Sequence, residues 1–316
     1  MSITPNEDML RAAHCWEAED LIPRSPAMTA FRRTARLQQA HWRDDHGHPI
    51  GTQPYAPKPG QPARPVGSRI PLQYARTTGA NMLSDAARAA ARQRSDNKEP
   101  HQTFDHQRMW ADLLSSEALA FNLFGDLAAD LSRADAAVHK WFLDAPGTVC
   151  DVKFAHSPGR LDPSFLNSLR AFDAAFFLDR GDVTLGVVAV DVNYHERNKA
   201  ETPRPDNLDL YGHVAERSRA FSRPNIARHQ QRSDMCVLWL EHLLMQSMLQ
   251  HDSGRWTWGR YLVVYPSGNV DVEDLTTRYR ETLKDDTTFA TITLEELLRR
   301  GGLPRTTVAA IRERYC

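Results

Sequence analysis

The chain has 316 residues, long enough for one large or two modest domains, and 41% of them are hydrophobic, which suits a globular core. Its net charge of -1 excludes an overall basic field that draws in nucleic acid, though local basic stretches still act, and six of its 39 Lys and Arg residues are lysine. No run approaches the ~18 apolar residues of a membrane span, no signal peptide opens the chain, and Cys15, Cys150, Cys236 and Cys316 form no zinc-type pair, so a reduced, cytoplasmic protein is expected.

In chain order, residues 1 to 100 read as an irregular N-terminal arm with short helices and a Pro/Gly-rich segment. A helix is predicted over Ala27 to Arg43, where Arg32, Arg33, Arg36 and Arg43 either meet DNA phosphates or form a solvated face. Pro49 to Pro71 is too rich in Pro and Gly for sustained helix or ladder, and is expected outside the core. Ser84 to Arg94 reads as an Ala-rich helix with Ser84 as N-cap.

Residues 101 to 316 read as the main domain. Met109, Trp110, Leu113, Leu114, Ala118, Phe121 and Phe124 fall at helical spacing, predicting one helix from Phe104 to Phe124 that ends at Gly125. A second helix is expected over Leu127 to Phe142. Asn198 to Asn225 reads as a loop with one short helix, and Arg228 to Gln250 as a long helix. A strand at Arg260 to Tyr265, a helix near Val272 to Leu283, a strand near Phe289 to Ile292 and two helices follow, with a capping box at Thr293-Leu-Glu-Glu. This order predicts an α/β fold with a mixed sheet flanked by helices.

The most informative stretch is Gly186-Val-Val-Ala-Val-Asp191-Val-Asn193-Tyr-His-Glu196. The apolar run Val183 to Val192 does not alternate, which predicts a central strand buried on both faces. Upstream, Phe172-Asp173-Ala-Ala-Phe-Phe-Leu178 is a second apolar run, and Asp179-Arg-Gly-Asp182 between them is a turn signal. An antiparallel hairpin centred there sets Asp173 opposite roughly residue 188 to 190, hence within about 10 Å of Asp191. Two carboxylates at one hairpin end suit magnesium, with the Val192 carbonyl as a third oxygen. Both aspartates are equally ordinary strand-ending residues. Asn193 shares a face with Asp191 on an extended strand. His101 and His106 are too poorly spaced to bind metal.

Asp173 followed by Asp191-x-Asn193 resembles the PD-(D/E)XK nuclease pattern, and more closely a bacterial family of restriction-endonuclease-like proteins. The resemblance runs from about residue 30. It is carried by Arg36-Leu-Gln-Gln-Ala-His-Trp42-Arg43, Gly79-Ala-Asn-Met-Leu83, Leu114-Ser-Ser-Glu-Ala-Leu-Ala-Phe-Asn-Leu-Phe-Gly125, His156-Ser-Pro-Gly-Arg160, Ala171-Phe-Asp173, Val190-Asp-Val-Asn-Tyr-His-Glu196 and Thr293-Leu-Glu295. The resemblance implies a restriction-endonuclease-like fold, a Mg2+-dependent DNA endonuclease, DNA as partner and a homodimer as candidate assembly. It assigns catalysis to Asp173, Asp191 and Asn193 and metal binding to Asp173, Asp191 and Val192, with Glu117, His195, Glu196 and Gln246 in supporting places. Each supporting residue also has an ordinary reading as helix surface or strand-end polarity.

The departures are specific. The family carries Glu-x-Lys where this chain has Asp191-x-Asn193, and Glu where it has Ala155. Asn hydrogen-bonds but adds no charge, and losing one such electrostatic contact costs about 10²–10³ in rate. Lys199 and Lys153 are the candidates to replace the lysine. The alternative is an inactive nuclease fold that binds nucleic acid or protein. A metal-free α/β enzyme is less supported, because no Gly-rich phosphate loop or Gly-x-Ser-x-Gly elbow occurs.

Overall fold

In the computed structural model, which describes residues 4–15, 29–54, 60–195 and 199–316, the chain runs α1 (Glu7–Ala12), α2 (Ala30–Asp45), β1 (Gly51–Thr52), β2 (Pro65–Val66), α3 (Leu72–Thr78) and α4 (Asp85–Asp96). A π-helical turn, Gln107–Ala111, leads to α5 (Ser116–Ala129), α6 (Leu131–Trp141), β3 (Thr148–His156), β4 (Phe172–Asp179) and β5 (Leu185–Val192). A short 3-10 turn, Pro205–Asn207, precedes α7 (Leu208–Ser218), α8 (Arg223–His229) and α9 (Cys236–Leu249). Then come β6 (Trp256–Tyr265), α10 (Val270–Glu281), β7 (Phe289–Thr293), α11 (Leu294–Arg300) and α12 (Arg305–Tyr315).

The large sheet has the order β3-β4-β5-β6-β7. Strands β3, β4 and β5 pair antiparallel, whereas β5, β6 and β7 pair parallel across helical connections, so the sheet is mixed and flanked by helices as expected. The β4–β5 turn forms because Asp179 Oδ1 accepts from the Gly181 amide at 2.8 Å, and Gly181 takes φ +81° without a Cβ penalty. Strand β5 begins two residues later than predicted. Val183 belongs to the turn, with φ +65° and 96% exposure, because Asp182 Oδ1 caps the Thr184 amide instead of letting the ladder continue.

The sheet separates two cores. Phe176, Leu178, Val188 and Val190 face one that includes Phe121, Phe124, Trp141 and Leu297. Ala175, Phe177, Val187 and Ala189 face the other, against Trp239, Leu243, Leu244 and Tyr279. Each large apolar side chain fully buried this way contributes about 1.5–3 kcal/mol. No helix among the described residues is long and apolar enough to cross a membrane.

Several boundaries differ from expectation for local reasons. The predicted helix Phe104 to Phe124 is broken: Asp112 bridges to Arg69, its Oδ1 accepts from the Leu114 amide, and Ser115 caps a new helix through the Ala118 amide. Gly125 does not end α5. A Cβ there would lie 2.4 Å from Ala87 Cα, so this glycine lets α4 cross α5 closely. Asp130 caps α6 through the Arg133 amide, which sets its start after Leu127. The expected Arg228 to Gln250 helix is split between α8 and α9, and the 198–225 stretch holds all of α7 and the start of α8.

The described residues of the first hundred pack on the rest. Ala35, Trp42, Ile70, Met82, Ala87 and Ala91 join the core that contains Phe121. Within the Pro49 to Pro71 stretch, Gly51–Thr52 pairs with Pro65–Val66, and Val66 and Ile70 are buried, against the expectation of no ladder and no core contact. Arg314 is wholly buried and donates to Gln39 Oε1, to the Asn81 carbonyl and Oδ1, and to the Leu113 carbonyl. The basic face of α2 also turns inward. Arg32, Arg36 and Arg43 are each less than 5% exposed, and Arg43 donates to the Gly67 carbonyl.

Burial holds two histidines well below the usual imidazole range. His242 Nδ1 meets Tyr279 Oη and its pKa falls to about 3, while His229, beside Thr282, falls to about 4. Their stabilising effect is fully present above the unfolded imidazole value and is lost as pH drops toward the folded values. Each should cost up to about 2 kcal/mol between pH 7 and pH 5. Thermal melts across that range should show a shallower acid loss for His242→Gln than for wild type; equal slopes would contradict the assignment.

Candidate metal and phosphate site

The β4–β5 ladder pairs Ala174 with Val190, and one further step sets Asp173 opposite Asp191. Both aspartates lie on the sheet face of Ala175, Phe177, Val187 and Ala189, which is covered by α9. A cavity of about 300 Å³ opens there, lined by Asp173, Asp191, Val192, Asn193 and Glu241, with Arg108 and Lys199 as its cations.

Local bonds set the aspartates. Asp173 Oδ2 accepts from the Val192 amide at 2.8 Å, so the carboxylate takes a place in the ladder. Asn193, 7% exposed, donates from Nδ2 to Asp191 Oδ2 at 2.6 Å. Burial, and then the negative charge of Asp191, push the Asp173 carboxyl well above the usual range. The Val192 hydrogen bond opposes this, Glu117 adds to it, and Arg108 relieves it.

Glu241 is a member of this site that sequence reading missed. It stands on α9, 6% exposed, and its carboxyl is raised by burial and then by Asp191. Tyr261 on β6 donates to its Oε2 at 3.0 Å. Arg170 lies 4.0 Å from its Oε1 but pairs more closely with Glu201 at 2.5 Å. The signal was present: one carboxylate inside the largely apolar Cys236-Val-Leu-Trp-Leu-Glu241-His-Leu-Leu run.

The other candidates divide. Glu117, in the first turn of α5, is close enough to act on Asp173. Its neighbour Ser116 lines the cavity and accepts from the Tyr194 amide. Lys199 lines the cavity. Lys153 does not: its Nζ sits 3.7 Å from Asp151 and over the Phe177 ring. Gln246, on α9, does not line the cavity and donates instead to Thr288 Oγ1 at 2.7 Å. His195 is buried near Arg36 and Arg32, and burial, then those charges, lower its pKa. Glu196 lies outside the described residues.

The donor set suits a hard divalent cation. Two half-buried carboxylates face each other, that of Asp173 with raised proton affinity, and magnesium takes one or two carboxylates with water or phosphate oxygens completing its shell. Among the described residues, no three or more His, Cys, Asp or Glu side chains converge as a closed metal cage. The raised Asp173 pKa means that its contribution to stability is present below the unfolded carboxyl value and is lost as pH rises. Asp173→Asn keeps an acceptor for Val192 and should stabilise the protein at pH 7 without divalent ions by about 1–3 kcal/mol, a gain that shrinks toward pH 4. A melting temperature below that of wild type would contradict this.

Comparison with known proteins adds one match. Neither the curated proteins nor the solved structures contain a match to this chain. A family profile described as PD-(D/E)XK nuclease superfamily matches residues 26–316, most of the sequence. The mixed sheet, with Asp173 and Asp191 facing each other across its central hairpin, agrees with that match. The chain belongs to the PD-(D/E)XK nuclease superfamily.

Proposed function

We propose that the protein is a magnesium-dependent DNA endonuclease that hydrolyses a phosphodiester in the Asp173–Asp191 cavity. The observation that carries this reading is the pair of facing aspartates in one cavity with Lys199 and Arg108. Asp173, Asp191 and the Val192 carbonyl would hold the ion. When bound, a divalent cation supplies Lewis-acid stabilisation of phosphate charge and a more acidic water.

The chain's own residues do the rest. The Val192 amide orients Asp173, and the Asn193 amide orients Asp191. Asn193 carries no charge, so it cannot neutralise the charge that builds on the scissile phosphate. Lys199 and Arg108 are the cavity's sources of that charge. Lys199 follows the strand on the loop that Glu201 joins to Ser233 through paired backbone hydrogen bonds. Glu117 raises the proton affinity of Asp173, Asp191 and Asp173 raise that of Glu241, and the added negative charge favours a cation there.

A second reading, a fold that binds nucleic acid without cleaving it, is favoured by one observation. Asn193 is engaged with Asp191, where the family's motif places a lysine. Plasmid nicking with magnesium separates the two. Wild type should nick slowly, Asp173→Ala and Asp191→Ala should lose all activity, and Asn193→Lys should raise the rate by about 10²-fold. No cleavage by any of these proteins would support the binding-only reading.

Lys199 is tested separately. Lys199→Ala should lower wild-type nicking by about 10²-fold and Asn193→Lys should restore it in that background. Unchanged nicking in Lys199→Ala would remove Lys199 from the mechanism.

A further inference from the structure

A second charged cluster lies just outside the cavity, where β3 ends. Four donors converge there on the single carboxylate of Glu99. His156 Nδ1 is 2.9 Å from Oε1, Arg94 Nη2 is 3.2 Å from Oε1, and the Ser157 amide and Arg160 Nη1 both donate to Oε2. Although burial works to raise its pKa, His156, Arg94 and Arg160 together bring Glu99 down to about 2. One carboxylate therefore faces two guanidiniums, and the cradle keeps an excess of positive charge.

The cradle is built from α4 and the end of β3 with the loop that follows it, and its occupant comes from a separate connection. The Arg160 side chain is 5% exposed, and Arg160 Nη2 donates to the Ala155 carbonyl at 2.6 Å. Arg94 and Gln102 reach the same carbonyl. Ala155 is held at φ +45°, a left-handed conformation that is strained for a non-glycine residue. Glu99, by contrast, comes from the largely exposed 97–106 connection between α4 and the π-helical turn, and its side chain is 25% exposed.

Position gives the cluster its meaning. Ala155 lies between the ladder pairs Phe154–Ala174 and His156–Phe172, which sets it opposite Asp173. Adjacent strands are about 4.8 Å apart, so the cradle begins next to the carboxylate pair. Two guanidiniums, an imidazole and a backbone N–H form a donor set that matches the several oxygens of a phosphate.

We propose that Arg94, His156, Arg160 and the Ser157 amide form a phosphate subsite for a nucleic-acid strand entering the Asp173–Asp191 cavity, and that Glu99 fills it as an internal stand-in until the strand displaces it. The choice of nucleic acid rests on the reading of the neighbouring site, but strand binding here needs neither metal nor cleavage.

The test is binding of a labelled single-stranded oligonucleotide in EDTA at several salt concentrations. Glu99→Gln should bind about 10-fold more tightly than wild type, with a salt slope steeper by about 0.7, the value for one added phosphate contact. Inorganic phosphate should raise the melting temperature of Glu99→Gln more than that of wild type, and chloride at equal ionic strength should not. Adding Arg160→Ala should remove both gains, and Asp96→Asn, which deletes a nearby exposed charge, should produce neither. If Glu99→Gln fails to fold, Glu99→Asp, with its shorter reach, should show the same gains in smaller size.

Three results would overturn the proposal. One is a folded Glu99 variant that binds the oligonucleotide no better than wild type, which makes the cluster a staple. Another is a gain that survives Arg160→Ala. The third is a phosphate effect without an oligonucleotide effect. Failure of the hydrolytic reading is seen separately, as absence of magnesium-dependent nicking.

Discussion

Two negative charges placed face to face inside the protein are the constraint around which this site is arranged. Asp173 and Asp191 close the end of the central hairpin, where apolar pairs would otherwise continue. Burying carboxylates side by side is costly unless a cation or proton compensates. The rest of the ladder absorbs that cost. Val187, Val188, Ala189 and Val190 are fully buried between two helical layers, and the Val192 amide gives Asp173 its hydrogen bond. A less securely packed strand would let the two aspartates part.

The same constraint explains the neighbourhood. Glu117 and Glu241 approach from opposite layers of the fold and add negative charge, while Arg108, Lys199 and Arg170 distribute positive charge around it. Here burial and then Asp191 raise the proton affinity of Glu241, and Arg170, nearer to Glu201, opposes this without reversing it. Perturbed carboxyl groups clustered in a cavity mark a candidate functional site.

What was legible in the sequence follows from locality. The hairpin was readable because Asp179 to Asp182 is turn chemistry and the flanking runs are continuously apolar. Register was nearly so, since Asp173 was expected opposite residues 188 to 190 and the ladder sets it opposite 191. Helix boundaries were less readable. The apolar positions from Met109 to Phe124 look continuous, but Asp112 and Ser115 turn their side chains to backbone amides and interrupt the helix. Gly125 looked like a terminator, and only the crossing with Ala87 reveals its role. Glu241 left a local signal, a carboxylate in an apolar helix, but its place beside Asp191 comes only from the fold, and Glu99 gains its meaning from His156 and Arg160, 57 and 61 residues away.

The central claim is that the facing aspartates form a divalent-cation site. Calorimetric titration of the metal-free protein with magnesium tests it most directly, comparing wild type with Asp191→Asn. The account predicts saturable binding of magnesium by wild type and its loss in Asp191→Asn, with both proteins equally folded. Absence of magnesium binding by folded wild type, or equal binding by the variant, would contradict it.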